Sequence, residues 1–174
     1  MANVRDVDMG YQKITVTLKE LDGRRVEAGV FADAGTAKDG KTSLADIAYW
    51  NEYGVTINVS DKMRKYLHAN DIHLSPGKTS IHIPSRPFMR QAADKNMGKW
   101  GDTAEKLVKM IAYGMSAQQG LELLGIQAKG DIQDIFTSGS FAANSPATIA
   151  KKGSSRPLID SGSLRDSGVD FRTK

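Results

Sequence analysis

Ile83-Pro84-Ser85-Arg86-Pro87-Phe88-Met89-Arg90 is the stretch on which the fold turns. Two prolines three positions apart hold φ at about −65° and remove two backbone donors. Each pushes the residue before it, Ile83 and Arg86, toward extended geometry. Ser85 offers an N-cap, and Pro87 suits the first turn of a helix, where its missing N–H costs nothing. Phe88 and Met89 follow with bulk for a core or a partner. The eight residues predict a rigid joint that turns a β layer into a helical layer. An ordinary proline-rich turn accounts for the same prolines.

Upstream of the joint the pattern is mostly strand. Residues 11–19 place Ile14, Val16 and Leu18 on one face and Lys13, Thr15, Thr17 and Lys19 on the other. That period of two, with β-branched residues, predicts a half-buried strand. Asp22-Gly23 suits a hairpin turn, and Arg25 to Phe31 returns with Val26, Ala28 and Val30 inward. Residues 32–42 form a loop. Ser43 then caps a helix with Leu44, Ile47 and Ala48 as its apolar stripe, and Gly54 ends it. Tyr49, Trp50 and Tyr53 lie on its other sides. Three aromatics exceed what one core face absorbs, so Trp50 and Tyr53 are candidate contacts for another chain. In residues 55–85, Val55, Ile57 and Val59 alternate, Ser60 caps a short basic turn, and Ile81 and Ile83 alternate again. The segment predicts an arm or long hairpin.

Downstream the pattern is helical. Phe88 to Asn96 predicts a short helix stopped by Gly98. Asp102-x-x-Glu105 is a candidate capping box, and Ala104, Leu107, Val108, Ile111 and Met115 share one helix face. Gly114 interrupts. Ser116-x-x-Gln119 is a second capping box, and Leu121, Leu124, Gly125, Ala128, Ile132 and Ile135 continue to Phe136. Gly125 and Gly130 each cost roughly 1 kcal/mol relative to Ala, which predicts close helix contacts at both. Thr137 to Asn144 forms a loop, residues 145–167 have weak periodicity, and Val169 and Phe171 suit an edge strand. The fold class is α+β. An N-terminal antiparallel β-hairpin packs against long helices in one domain, residues 1–174, with 137–174 as an extended C-terminal segment.

The 174 residues carry a net charge of +4, with 40% hydrophobic and 25% charged residues. That suits a globular domain with a moderate core. The absence of cysteine excludes disulfides and thiolate metal sites. No window approaches the roughly 18 apolar residues of a membrane span. Met1 to Asp6 shows no apolar segment of a secretory signal. Six basic residues of the last thirty (Lys151, Lys152, Arg156, Arg165, Arg172, Lys174) face three acidic ones (Asp160, Asp166, Asp170). This balance is compatible with weak attraction to phosphate, but the signs are mixed and a solvated tail is the favoured reading.

Reactive constellations do not stand out. His68, His73 and His82 lack a metal-ligand spacing. Ser161 lacks a G-x-S-x-G elbow and a nearby histidine. Asp160 and Asp166 with Ser161, Ser163 and Ser167 read as capping and turn residues. There is no Walker loop or dinucleotide fingerprint, and the glycines from Gly35 to Gly40 lack the flanking strand and helix such loops need. Neither catalysis nor a cofactor is expected.

Three segments, in order, carry a resemblance. Ile83 to Arg90 resembles the IP-A/S-RPF-L/M-R signature of virion-morphogenesis proteins of tailed bacteriophages, the tail-completion or neck proteins. Thr148-Ile149 through Lys151-Lys152-Gly153, with Pro157-Leu158-Ile159-Asp160-Ser161-Gly162-Ser163-Leu164-Arg165-Asp166-Ser167, is similar to that family's TI-x-x-KG…PLIDTG-x-LR-x-S segment. Asn51-Glu52-Tyr53-Gly54 resembles its E-F/Y-G element. Ser161 stands where the family usually has Thr, and the 55–82 excursion is longer than in many members. The resemblance implies a structural subunit of the virion, assembled in the host cytoplasm. It would sit in a homo-oligomeric, hexameric ring at the head–tail junction or tail end, against other neck, connector or tail proteins, with DNA passing through a channel. Candidate interface residues are Trp50, Tyr53, Ile83, Arg86, Phe88, Leu158, Ile159, Asp160, Leu164 and Arg165, with Arg86 expected near Asp160. The alternative is a nucleic-acid-binding module using Lys151, Lys152, Arg156 and Arg165.

Overall fold

The computed structural model describes residues 10–174, and of Lys151 and Lys152 only the backbone. The expectations for residues 1–6 and for those two side chains lie outside the described residues. In chain order the elements are α1 (Tyr11–Lys19), β1 (Val26–Val30), α2 (Leu44–Tyr53), β2 (Val55–Asn58), α3 (Asp61–His68), β3 (Ser80–Ile83), α4 (Phe88–Ala112), α5 (Ala117–Ser138), α6 (Pro146–Lys152), a π-turn (Leu164–Gly168) and β4 (Val169–Thr173). The fold is α+β, with two two-stranded sheets, β1 with β4 and β2 with β3.

The N-terminal hairpin is not formed. Residues 11–19 are helical, and Val16, expected in the core, is exposed. Ile14 and Leu18 also stand at i and i+4, so the same letters satisfy a helix. The Thr15 and Thr17 hydroxyls donate to the carbonyls of Tyr11 and Lys13, one turn back. That bond lets a threonine sit in a helix. Strand β1 pairs with β4 from the far end of the chain, and Arg25 and Lys174 exchange backbone bonds of 2.7 and 2.9 Å beside it. Mutual exchange of both bonds is the antiparallel pattern.

Helix α4 corrects a second expectation. It does not stop at Gly98 but runs unbroken from Phe88 to Ala112, so Asp102 is an interior residue and not a cap. A helical glycine costs roughly 1 kcal/mol, and the helix-forming residues on both sides outweigh it. The second capping box is present as expected. Gln119 N–H donates to Ser116 Oγ, and Ser116 N–H donates to Gln119 Oε1. Gly114, at φ +118°, separates α4 from α5. Within the C-terminal segment expected to be extended, Ser145 caps a short helix by accepting from Thr148 N–H.

Contacts divide the chain into two compact units. The first holds the described residues through Ala28, with Lys95–Asp131 and Phe171–Lys174. Its core includes Leu107, Ile111, Ala117 and Ala128. Asp131 is buried and accepts from Lys99 Nζ at 2.6 Å and Trp100 Nε1 at 2.8 Å. Gly125 lies against Phe171, whose ring would stand 2.1 Å from an added Cβ; Gly130 has open space. The close contact expected at both glycines is therefore found at one.

The second unit holds Gly29–Asp94 and Ile132–Asp170. Its core gathers Leu44, Ala48, Phe88, Ala92, Ile132, Ile135, Phe136, Leu164 and Val169. The Phe88 and Phe136 rings lie 4.8 Å apart between centroids. Strands β2 and β3 are antiparallel, with Val55 opposite Ile83 and Ile57 opposite Ile81. Helix α3 is inserted between them, capped by Ser60 through Met63 N–H. Arg64 ties the returning loop to that helix by donating to the carbonyls of Leu74, Ser75 and Lys78.

Candidate functional site: a bonded corner beside an aromatic helix

The corner at Ile83 to Arg90 lies in the second unit and is bonded from two sides. From one side comes Asn51-Glu52-Tyr53-Gly54. Met89 N–H donates to Glu52 Oε2 at 2.9 Å, and Arg90 N–H to Glu52 Oε1 at 3.1 Å. Glu52 is buried, so its carboxylate satisfies two orphan donors at the positive end of α4. Ser85 Oγ donates to the Glu52 carbonyl at 2.7 Å, and Arg86 N–H donates to the Asn51 carbonyl. Ser85 is thus not the cap of α4; a carboxylate from α2 takes that place.

Gly54 ends α2 at φ +74°. A Cβ there would stand 2.9 Å from Ser85 N and 3.0 Å from Ile83 O. The glycine is what lets the end of α2 approach the proline corner.

From the other side comes the loop after α5. Arg86 is 7% exposed. Its Nε donates to Ala142 O at 2.9 Å, and Nη2 reaches Ala143 O at 3.3 Å and Asn144 Oδ1 at 3.2 Å. Asn144 in turn donates through Nδ2 to the carbonyls of Ser155 and Arg156. Burial pushes the guanidinium's pKa down from its usual value. The partners of Arg86 are carbonyls and an amide, and the expected pairing with Asp160 is not among them. Carbonyl groups give a buried guanidinium directional acceptors that hold one loop conformation.

The remaining candidates separate by exposure. Phe88 is 0% exposed and Leu164 is buried, so both serve the core. Ile83 is half-buried in β3. Leu158, at φ +61°, and Asp160 line a cleft of about 290 Å³ with Leu44, Ile47 and Leu164, while Ile159 is half-buried. Arg165 donates from Nε to Asp166 at 2.7 Å. That hydrogen bond holds the Asp166 carboxyl below the usual carboxylate range.

Trp50 and Tyr53 do face outward. Tyr49, Trp50 and Tyr53 are 62%, 38% and 61% exposed, and the two tyrosine rings lie 4.9 Å apart. Helix α2 buries Leu44, Ala48 and Glu52 at i, i+4 and i+8, which turns these aromatics away from the core. Helix spacing therefore sorts the two faces correctly. Glu52 stands out only within the Asn51–Gly54 element and Asn144 not at all, because their partners Met89 and Arg86 stand 37 and 58 residues away in sequence.

Among the described residues no group of three or more His, Cys, Asp or Glu side chains is arranged to hold a metal ion. None of the described helices is long and apolar enough to cross a membrane. The His68 and His73 rings meet edge to face at 4.6 Å, and His82 Nδ1 lies 3.1 Å from Thr56 Oγ1. No family model, curated protein or solved structure matches this chain.

Proposed function

We propose that this chain is a structural subunit of a tailed-phage virion, part of a hexameric ring at the head–tail junction or tail end. It would be needed for tail completion or head–tail joining, and it would meet other neck, connector or tail proteins around a channel for DNA. One observation carries this reading. Two of the segments that resemble the virion-morphogenesis proteins are bonded to each other at the corner. Glu52 and Gly54 serve Ile83–Arg90, and Arg86 reaches, through Asn144, the carbonyls of Ser155 and Arg156, in the short link between the two parts of the third segment. The motif residues thus act as fasteners of a fold, as a building block requires, and the helix that carries Glu52 also carries the exposed aromatics.

The test is removal of the gene from the phage that encodes it. The expected result is unjoined heads and tails, or tails of aberrant ends, restored by the intact chain supplied in trans. Complete infectious particles without it would overturn the proposal. If purified protein instead binds DNA with an affinity that falls steeply with salt, while virion assembly is intact, the nucleic-acid-binding alternative takes its place.

A further inference from the structure

Two exposed helix faces in the second unit are unlike and complementary. On α2, Asp46, Tyr49, Trp50 and Tyr53 are all exposed and stand at i, i+3, i+4 and i+7, one continuous stripe. On α3, Lys62, Lys65 and Tyr66 are all exposed at i, i+3 and i+4. Helix α3 has eight residues and buries none of them. Helices shorter than about 12–15 residues are marginal in water unless packed; α3 is held on one side by half-buried Met63, Arg64 and Leu67, which leaves its Lys62, Lys65 and Tyr66 face uncovered. Both faces are exposed in the single chain, so neither covers the other.

We propose that the outer face of α2 on one copy takes the outer face of α3 on the next copy of this chain. Lys62 and Lys65 then lie against Asp46 and over the rings of Tyr49, Trp50 and Tyr53. A lysine ammonium is attracted to an aromatic face as well as to a carboxylate. Buried aromatics of this kind dominate interface energetics. At roughly 150–250 Å² per aromatic side chain, the exposed parts of the three rings supply about 300 Å², over a third of the ~800 Å² per partner of a standard interface. Because the two faces differ, the contact is heterologous and repeats head to tail, which gives a ring where the rotation between copies closes and a filament where it does not. This contact deepens the ring reading and rests on it.

The chain has no cysteine, so introduced thiols report one contact at a time. Ala45→Cys and Asp61→Cys proteins, with thiols beside the two faces and their contact residues intact, are purified separately, mixed in equal amounts and treated with a bis-maleimide. Its reach tolerates a register offset of one helical turn, about 5.4 Å. Mixed dimers are expected far above the statistical excess over either like dimer. Adding Tyr49→Ala and Tyr53→Ala to the Ala45→Cys protein is expected to cut the mixed dimer roughly tenfold or more, in line with a loss of about 1.4 kcal/mol per factor of ten. These side chains are exposed, so circular dichroism should stay unchanged. Rings seen by light scattering together with a merely statistical mixed dimer would overturn this contact and leave the ring reading standing. A monomer at every concentration with a statistical mixed dimer would remove the contact, and only normal virions in the gene-deletion experiment would remove the ring as well.

Discussion

Gly54 occupies φ +74° and ψ 164°, a region that belongs almost entirely to glycine. Backbone strain there is worth roughly 1–3 kcal/mol for any other residue. The added Cβ would also press on the backbone at Ser85 and Ile83. Gly54→Ala should therefore lower the stability of the second unit by about 3 kcal/mol, read as a lower urea midpoint; an unchanged midpoint would show that α2 does not need this approach. Asp39 is a smaller case with a clear sign. Its carboxylate accepts from Lys41 N–H, Thr42 N–H and the Thr42 hydroxyl. The Thr42 hydroxyl above all, then the backbone donors, lower its pKa to about 2. A lowered pKa in the folded chain means the carboxylate's contribution is whole above its ordinary value of about 4 and disappears as pH falls through about 2. The Lys41 and Thr42 amide resonances should titrate with a midpoint near 2; a midpoint near 4 would contradict the bonded loop. Such local partners are visible in sequence order. The partners of Glu52 and Arg86 are not, because chain closure between distant segments leaves no periodic trace. Arg86 stood out from its place between two prolines, but its destination in the 142–144 loop did not.

At the scale of elements, the local stop and start signals separate cleanly into those that hold and those that yield. Ser43, Ser60 and the Ser116–Gln119 pair all form the caps their positions suggest. Each is satisfied within three residues, so no tertiary contact is needed to read it. Gly98 does not act as the stop its position suggests, and Gly101 lies in the same helix. Both sit in α4 with no atom within 4 Å of an added Cβ. Gly98→Ala and Gly101→Ala should each stabilise the chain by about 1 kcal/mol, measured as a higher thermal or urea midpoint. A loss of stability at either would mean that the helix is broken there after all. Ile14 and Leu18 of α1 fit both periods and Val16 fits the strand alone, and nine residues are too few to decide between them. Strand β1 was recognised, but its partner β4 lies at the opposite end of the chain, where an edge strand was legible and its pairing was not.

For the whole molecule, the α+β class follows from counting helical and alternating stretches, and it is the level at which sequence pattern speaks most directly. The division into two compact units does not follow from it, since α4 and α5 each run through the boundary between them. The candidate surface was half legible. Helix spacing exposed Trp50 and Tyr53, whereas Phe88 and Leu164 were apolar residues that the core claimed. Burying a phenylalanine fully makes its removal cost about 3–5 kcal/mol, so Phe88→Ala acts on folding before any assembly can be scored. The proposed docking would fall to the bonded corner, the stripe of aromatics on α2 and the basic residues of α3. The measurement that bears most directly on the proposed role is electron cryo-microscopy of tailed-phage particles assembled with this chain. It should reveal a closed ring of identical copies at the head–tail junction or tail end, each with the fold described here. Complete particles in which no copy of this fold is found would contradict it.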